Sequence, residues 1–472
     1  MMIRAREVSP VEVIAAYLRR IEELNPKLNA IVTLAPDALE RAREAEAKVL
    51  SGEALGALHG VPVTVKDTIA VEGLRATSGS RVFADSVASE DAPAVSRLRA
   101  SGAIILGKTN CSELALDYTS DNEVFGRTNN PHDLARTPGG SSGGCAAAVS
   151  ACLTAASLGS DLAGSIRIPA HFCGVAGLKP TAERVSRVGH VPPITFIYRR
   201  AASLGPLART VADLSLMFQV LSGEAYGSKA DEEGWLSFRA TQLVGVRVAW
   251  YASDGETPVA PEMRDAVERA ASCLQATGLR VVESRPPGVE RATQLWSSLF
   301  SNATNEYVRK VYAGRETEAG PVARILLGRE LKSIEERREA ESEAWAERDR
   351  LRLRLLEWME KEETRLIVAP VGAVAAFRHE EARRVEVSGQ TISTFRAFGC
   401  AQAFNVFDLP AVCVPAGRTR EGLPIGVQIV GRPFDEEWVL AAARVVEEAL
   451  GGWKPPPLSS PLTLPNESGN PL

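Results

Sequence analysis

Two well-separated passages of this sequence repeat one pattern: a short apolar run, a helical segment, and a second short apolar run. In the first passage, Val61-Pro-Val-Thr-Val-Lys66 is rich in β-branched residues and flanked by glycines, which predicts a strand ending at Lys66. A helical pattern over Asp91 to Ala100 follows and Ser101-Gly102 ends it. Ala103-Ile-Ile-Leu106 then suits a buried parallel strand. The second passage runs from Val244 to Trp250, through a helix over Glu262 to Ala276, to Leu279 to Glu283. Strand–helix–strand units of this kind predict an α/β fold, with a sheet covered by helices on both faces. Leu366 to Ala369 adds a buried strand. Ala411 to Val414 and Ile425 to Val430, separated by glycine and proline, suggest antiparallel pairing, so the sheet is expected to be mixed.

Helices frame these strands. Ser9-Pro10-Val11-Glu12 reads as a capping box with proline at the first helical position, and Ile14, Leu18 and Ile21 continue at helical spacing until Asn25-Pro26. A second helix is expected from about Pro36 to Leu50, and Glu436 to Leu450 closes the fold. With no internal repeat and no linker, the 472 residues predict a single large domain, a mixed β-sheet sandwiched between α-helices. Within it, roughly 223–363 reads as a variable, largely helical insertion, and 453–472 as a loosely held tail.

Charge and cysteine usage exclude several function classes. A formal net charge of -5 lacks the basic surplus of a phosphate-binding surface, so no nucleic-acid partner is expected. Lys and Arg cluster from Arg348 to Arg365, but the acidic residues among them predict a solvated helix face. The seven cysteines show no C-x-x-C spacing and the five histidines lie far apart, so free thiols, no metal and no cofactor are expected. Met1 to Glu7 has no apolar run behind it, and the small residues of Cys145 to Gly159 suit a buried helix better than a membrane span. A cytoplasmic protein without a membrane anchor is expected.

Three glycine-rich segments compete as functional signals. Gly102-Ala-Ile-Ile-Leu-Gly107-Lys108-Thr109 matches the phosphate-loop pattern of NTPases, yet its four central residues are themselves a strand candidate, whereas a phosphate loop follows a strand. Gly139-Gly-Ser141-Ser-Gly143 matches the nucleophile elbow of α/β-hydrolases, but loop chemistry from Asn129 to Pro138 precedes it in place of a strand. It runs into Cys145-Ala-Ala-Ala-Val-Ser-Ala, so it is expected to present amides and hydroxyls at a helix start. In Gly159-Ser-Asp161-Leu-Ala-Gly164-Ser165-Ile-Arg167, small residues would let the backbone approach a substrate beside Ser165.

Taken in order, Val65-Lys66-Asp67, Gly107 to Asn110, Pro138 to Gly144, Gly159 to Pro169 and Phe172 to Thr181 resemble the amidase signature family. Ser141 and Ser165 stand 24 residues apart, the interval associated with that family. Gly205 to Asp213 and Gly422 to Gln428 extend the resemblance over most of the chain. It implies the amidase signature fold, a small-molecule amide substrate, and an acyl-enzyme mechanism. In it Ser165 is the nucleophile, Ser141 a bridging serine after a cis peptide, and Lys66 the base. Backbone amides of Leu162, Ala163, Gly164 and Ser165 would form the oxyanion hole. Asp117, Tyr118, Thr119 and Ser142 are candidate substrate-binding residues, and a homodimer is compatible with this reading. A lysine can take a serine proton only when neutral, and burial at a strand end lowers its pKa towards the working range. Strand alternation turns Asp67 to the other side. Asp161 and Arg167 are expected to pair and brace the loop; His171 and Cys173 are expected only to pack.

The family's usual run is Asp-x-Gly-Gly-Ser, and here Ala163 replaces the first glycine. If that position needs a positive φ, alanine costs about 1 kcal/mol or shifts an amide of the hole, which would leave a catalytically impaired binding protein. A glutaminase-type subunit of a tRNA-dependent amidotransferase is the other alternative. That subunit carries a Ser-Arg-Tyr-Asp-Gly-like stretch, where this chain has Ser301-Asn-Ala-Thr-Asn-Glu-Tyr-Val308. A free-standing amidase is preferred.

Overall fold

A computed structural model describes residues 2–194, 196–223, 240–330 and 333–458. Its strands are β1 (Ile31–Leu34), β2 (Pro62–Lys66), β3 (Ile104–Thr109), β4 (Ala156–Asp161), β5 (Ala176–Lys179), β6 (Ser203–Ala208), β7 (Arg247–Trp250), β8 (Arg280–Glu283), β9 (Thr364–Pro370), β10 (Arg384–Val387), β11 (Gln390–Ser393), β12 (Ala411–Arg418) and β13 (Pro424–Val430). Eleven of them form one sheet in the order β1-β3-β2-β4-β6-β5-β12-β13-β9-β7-β8, and β10 and β11 make a separate hairpin.

The sheet is mixed, and its parallel parts lie where the two strand–helix–strand passages fall. β2 runs parallel to β3 and β4, and β7 parallel to β8 and β9. Helices Pro93–Ala100 and Pro261–Ala276 supply the crossovers that parallel neighbours require. β12 and β13 pair antiparallel, as their short connection demands.

Every residue of β2, β3, β4, β6 and β13 is buried. Helices cover both faces, so these strands show no alternation with exposed polar residues, and the polar members they do carry, Lys66, Lys108, Asp161 and Gln428 among them, are buried with the rest. Alternation survives in which core each side chain joins. Ile105 packs with Val63, Val65 and the helices Pro93–Ala100 and Val211–Ser222, whereas Ile104 and Leu106 pack against Pro10–Leu28 and Gly143–Ser150.

Several local expectations change. The first helix starts as expected, with Ser9 Oγ accepting from Glu12 N at 3.1 Å and Glu12 returning the bond at 2.8 Å. It does not stop at Asn25-Pro26 but continues to Leu28. Pro26 falls in the last turn, and the Asn25 side chain accepts from Ala30 N and Ile31 N at 2.9 Å, holding the chain beyond it. The segment expected as one buried helix, Cys145 to Gly159, divides into helix Gly143–Ser150 and strand β4. The region read as an insertion holds the two strands expected there, β7 and β8, which join the main sheet, besides helices Ala292–Val311 and Ile334–Lys361. The start of the expected loose tail is anchored, because Trp453 Nε1 donates to Ser150 O at 3.3 Å and the ring packs in the core. Residues 459–472 lie outside the described residues.

No described helix is long and apolar enough to cross a membrane. Among the described residues, no group of three His, Cys, Asp or Glu side chains is placed to hold a metal ion.

Candidate active site

Because β2 and β4 are parallel neighbours, paired from Val63–Ala156 to Val65–Leu158, their carboxyl ends deliver Lys66, Ser160 and Asp161 to one place. Lys66 is fully buried. Its Nζ lies 2.7 Å from Ser141 Oγ and 3.0 Å from Ser160 Oγ, with no carboxylate of the described residues in hydrogen-bond range. Burial lowers the Lys66 pKa, and the surrounding Cys111, Cys145 and Asp161 oppose that only in part. Asp67 takes no part in this, because its Oδ2 accepts from Thr77 N at 3.1 Å and Thr77 Oγ1 at 2.7 Å.

Ser141 sits in the loop entering helix Gly143–Ser150, and the Gly140–Ser141 peptide is cis. The loop lies so close to its neighbour that a Cβ at Gly140 would come within 2.1 Å of Thr119 O. Ser120 Oγ clamps it by donating to Gly139 O at 3.0 Å and accepting from Gly143 N at 2.9 Å. Ser142 joins the loop to the other strand end: its N donates to Ser165 O at 3.2 Å and its Oγ to Ser160 O at 3.2 Å.

Ser165 lies on the turn from β4 into helix Arg167–Cys173, and its side chain reaches the same cleft as Ser141. Among the described residues its hydroxyl makes no hydrogen bond, so none joins it to Ser141 in the cleft they share. Asp161 organises the turn. Its Oδ1 accepts from Gly164 N at 2.8 Å, and its Oδ2 from Ile166 N at 3.0 Å. Arg167, fully buried like Asp161, pairs with it at 3.1 Å and also donates to Gln428 Oε1 at 2.7 Å and Asn405 Oδ1 at 2.6 Å. Burial alone would push the Asp161 carboxyl up, but Arg167 and the amides hold it well below the usual carboxylate range.

The Gly164 amide, expected in the oxyanion hole, is therefore engaged by Asp161. The amides of Leu162, Ala163 and Ser165 find no acceptor among the described residues. The intervening carbonyls are tied back: Trp296 Nε1 donates to Leu162 O and Tyr118 OH to Ala163 O, both at 3.0 Å. The positive φ of this turn falls on Gly164, at 102°, and not on Ala163. The expected penalty for alanine does not arise, because the glycine-requiring position is the next one.

Asp117 and Tyr118 line the cleft, while Thr119 and Ser142 do not. Thr119 Oγ1 turns instead to Asp117 Oδ2 at 3.2 Å, and Ser142 is occupied as described. The cleft has a volume of about 310 Å³. Its wall is mainly apolar and aromatic, including Leu116, Ile194, Tyr198, Trp296 and Phe395, with Asp117, Arg329 and Arg383 as its charged members besides Asp161. Burial raises the Asp117 pKa, partly opposed by Arg383 at 3.8 Å.

Ser160 and His190 also border the cleft; no role for either is read from the sequence, although Ser160 stands within Gly159-Ser-Asp161 and His190 opens His190-Val-Pro-Pro193, a short stretch also similar to free-standing amidases. The signal for Ser160 would have been a hydroxyl in a buried strand one residue before Asp161, visible once β4 is recognised. His171 is confined to packing: its Nδ1 accepts from Gly426 N at 2.7 Å, and its Nε2 lies 3.0 Å from Val374 O. Lys108 of the phosphate-loop match points inward to the carbonyls of Arg75 and Asp67 at 2.9 and 3.3 Å, which leaves no phosphate cradle there.

Residues 12–440 match the family model described as Amidase. The chain is 32% identical over 472 residues to a glutamyl-tRNA(Gln) amidotransferase subunit from Thermoanaerobacter pseudethanolicus, covering 95% of this chain and 94% of that protein. Among solved structures, it resembles an inhibitor-bound chain described in connection with the evolutionary origins of an s-triazine catabolic enzyme, with a TM-score of 0.85 and 28% identity across 96% of this chain and 98% of that one. A bacterial aryl acylamidase matches with a TM-score of 0.81 and 27% identity, over 95% and 94% of the two chains.

Proposed function

The chain belongs to the amidase signature family, and on that premise we propose that it hydrolyses a linear carboxylic amide to an acid and ammonia or an amine, with Ser165 as nucleophile, Ser141 as proton bridge and Lys66 as base. The observation that carries this reading is the contact between the buried, carboxylate-free Lys66 Nζ and Ser141 Oγ at 2.7 Å, in the cleft that also holds Ser165. A neutral lysine there accepts the Ser141 proton as Ser141 accepts the proton of Ser165. Ser165 Oγ then attacks the amide carbonyl. The oxygen that becomes negative faces the amides of Leu162, Ala163 and Ser165, whose directions are fixed before substrate arrives. The same relay returns a proton to the amine nitrogen as the C–N bond breaks, and water repeats the cycle on the acyl-enzyme. The Ser141–Ser165 hydrogen bond forms with substrate present, since catalytic hydrogen bonds are often loose in an empty site.

The apolar, aromatic wall favours a hydrophobic acyl or amine group. A second reading, a glutaminase-type subunit that works beside a partner, is favoured by the 32% identity to a glutamyl-tRNA(Gln) amidotransferase component. The purified chain, without partner or ATP, is expected to release ammonia or amine from a panel of aliphatic, aryl and fatty amides, and Ser165→Ala to abolish it. Ammonia release confined to glutamine and dependent on a second protein selects the second reading. Labelling by a fluorophosphonate that persists in Ser165→Ala refutes the nucleophile.

A further inference from the structure

His190 makes two hydrogen bonds that together fix where its proton sits. Nδ1 lies 2.7 Å from Pro192 O, and a carbonyl can only accept, so Nδ1 carries the hydrogen. Burial lowers the His190 pKa to about 4, with Lys66 adding to the effect, so at neutral pH Nε2 is a bare acceptor. Ser160 Oγ, 3.0 Å from Nε2, must then donate its only hydrogen to the ring. That leaves Ser160 nothing but lone pairs to offer Lys66 Nζ, also at 3.0 Å, so Nζ donates an N–H there.

We propose that His190 is a positioning residue: by holding the Ser160 hydroxyl hydrogen, it obliges Ser160 to accept from Lys66 and keeps the Lys66 lone pair for Ser141. The inference rests on the amidase reading above, which makes Lys66 the base. Without His190, the Ser160 hydroxyl can rotate and donate to the Lys66 lone pair, in competition with Ser141. Around Lys66 the other titratable groups are Cys111, Cys145 and Asp161, and the charged group that reaches His190 is Lys66 itself.

The direction of a pH shift distinguishes this from loosened packing. In His190→Phe, a Ser160 hydroxyl donating to the neutral amine stabilises that form and lowers the Lys66 pKa. A gap that merely admits water hydrates the ammonium and raises it. The probe is a fluorophosphonate, whose fluoride is displaced by Ser165 Oγ, with the labelling rate followed against pH on the full chain. His190→Phe is expected to lower the plateau rate about tenfold, the worth of one misdirected hydrogen bond, and to move the acid limb to lower pH. His190→Gln places Oε1 near the position of Nε2, accepts from Ser160, and is expected to restore the plateau to within about threefold. An unchanged plateau in His190→Phe, a limb that moves up, or a Gln variant as slow as Phe overturns the proposal while leaving the amidase reading intact. A wild-type chain not labelled at Ser165 overturns that reading and this inference together. If His190→Phe does not fold, His190→Leu, which likewise offers Ser160 no acceptor, replaces it: a lower plateau with a lower limb supports the proposal, and an unchanged plateau or a limb that moves up overturns it.

Discussion

Exchanging the two small residues before the nucleophile separates the position that tolerates a side chain from the one that does not. Gly164 has φ of 102°, and a Cβ placed there would approach Ile168 Cδ1 to 2.7 Å and Ala401 Cβ to 2.8 Å. Gly164→Ala therefore combines backbone strain of about 1–3 kcal/mol with overpacking of about 1–3 kcal/mol, so a loss of roughly 2–6 kcal/mol is expected. Relief of either strain would rotate the peptides that carry the Gly164 and Ser165 amides, so the labelling rate should fall with stability. Ala163→Gly meets neither obstacle. It should cost only about 0.5–1 kcal/mol through the greater freedom of the unfolded chain and leave labelling within about threefold of wild type. Urea unfolding and fluorophosphonate labelling of the two variants and the parent decide the matter. A tenfold faster Ala163→Gly, or a Gly164→Ala as stable as the parent, refutes the placement of the strain.

Two further outcomes follow from buried charge. Arg167→Met leaves the fully buried Asp161 without its cation and should destabilise the fold by about 3–5 kcal/mol in urea unfolding; an unaltered midpoint would mean that the carboxylate finds another partner. His171 and His190 are buried with pKa values lowered from 6.5 to about 4. Between those values the unfolded chain binds protons that the folded chain refuses, so stability is full above pH 6.5 and declines as pH falls towards 4, by roughly 3 kcal/mol for each histidine. A urea midpoint that stays flat from pH 7 to pH 4.5 contradicts this.

The strands legible in the sequence are those whose burial on both faces writes a continuous apolar run, such as Val61 to Lys66 and Ile104 to Leu106. β4 escapes notice because Ala156-Ser-Leu-Gly-Ser-Asp161 has no β-branched residue, and its extended form comes from pairing with β2 and β6. Ordered motifs and spacing bring Lys66, Ser141 and Ser165 forward, and the Asp161–Arg167 pair as well, since both lie within a short turn. Thr119 and Ser142 resemble substrate contacts only because they adjoin the site in sequence, which says nothing of side-chain direction. Ser160 and His190 meet only when β4 and the turn around Pro192 are folded together, so no local pattern could announce their contact.

The proposed chemistry and a large part of the cleft wall are carried by different stretches of chain. Lys66, Ser160 and Asp161 end two central strands, with Ser141 and Ser165 on the turns beside them, whereas Trp296, Tyr307, Leu326, Arg329, Arg383 and Phe395 come from later segments. Descent with modification can therefore recut the rim without disturbing the strand ends. The same division makes the stretch from 292 to 329, which lies between the sheet strands β8 and β9, a unit for grafting: exchanged among relatives, it should carry part of the substrate preference with it, while the proton relay stays behind in the recipient.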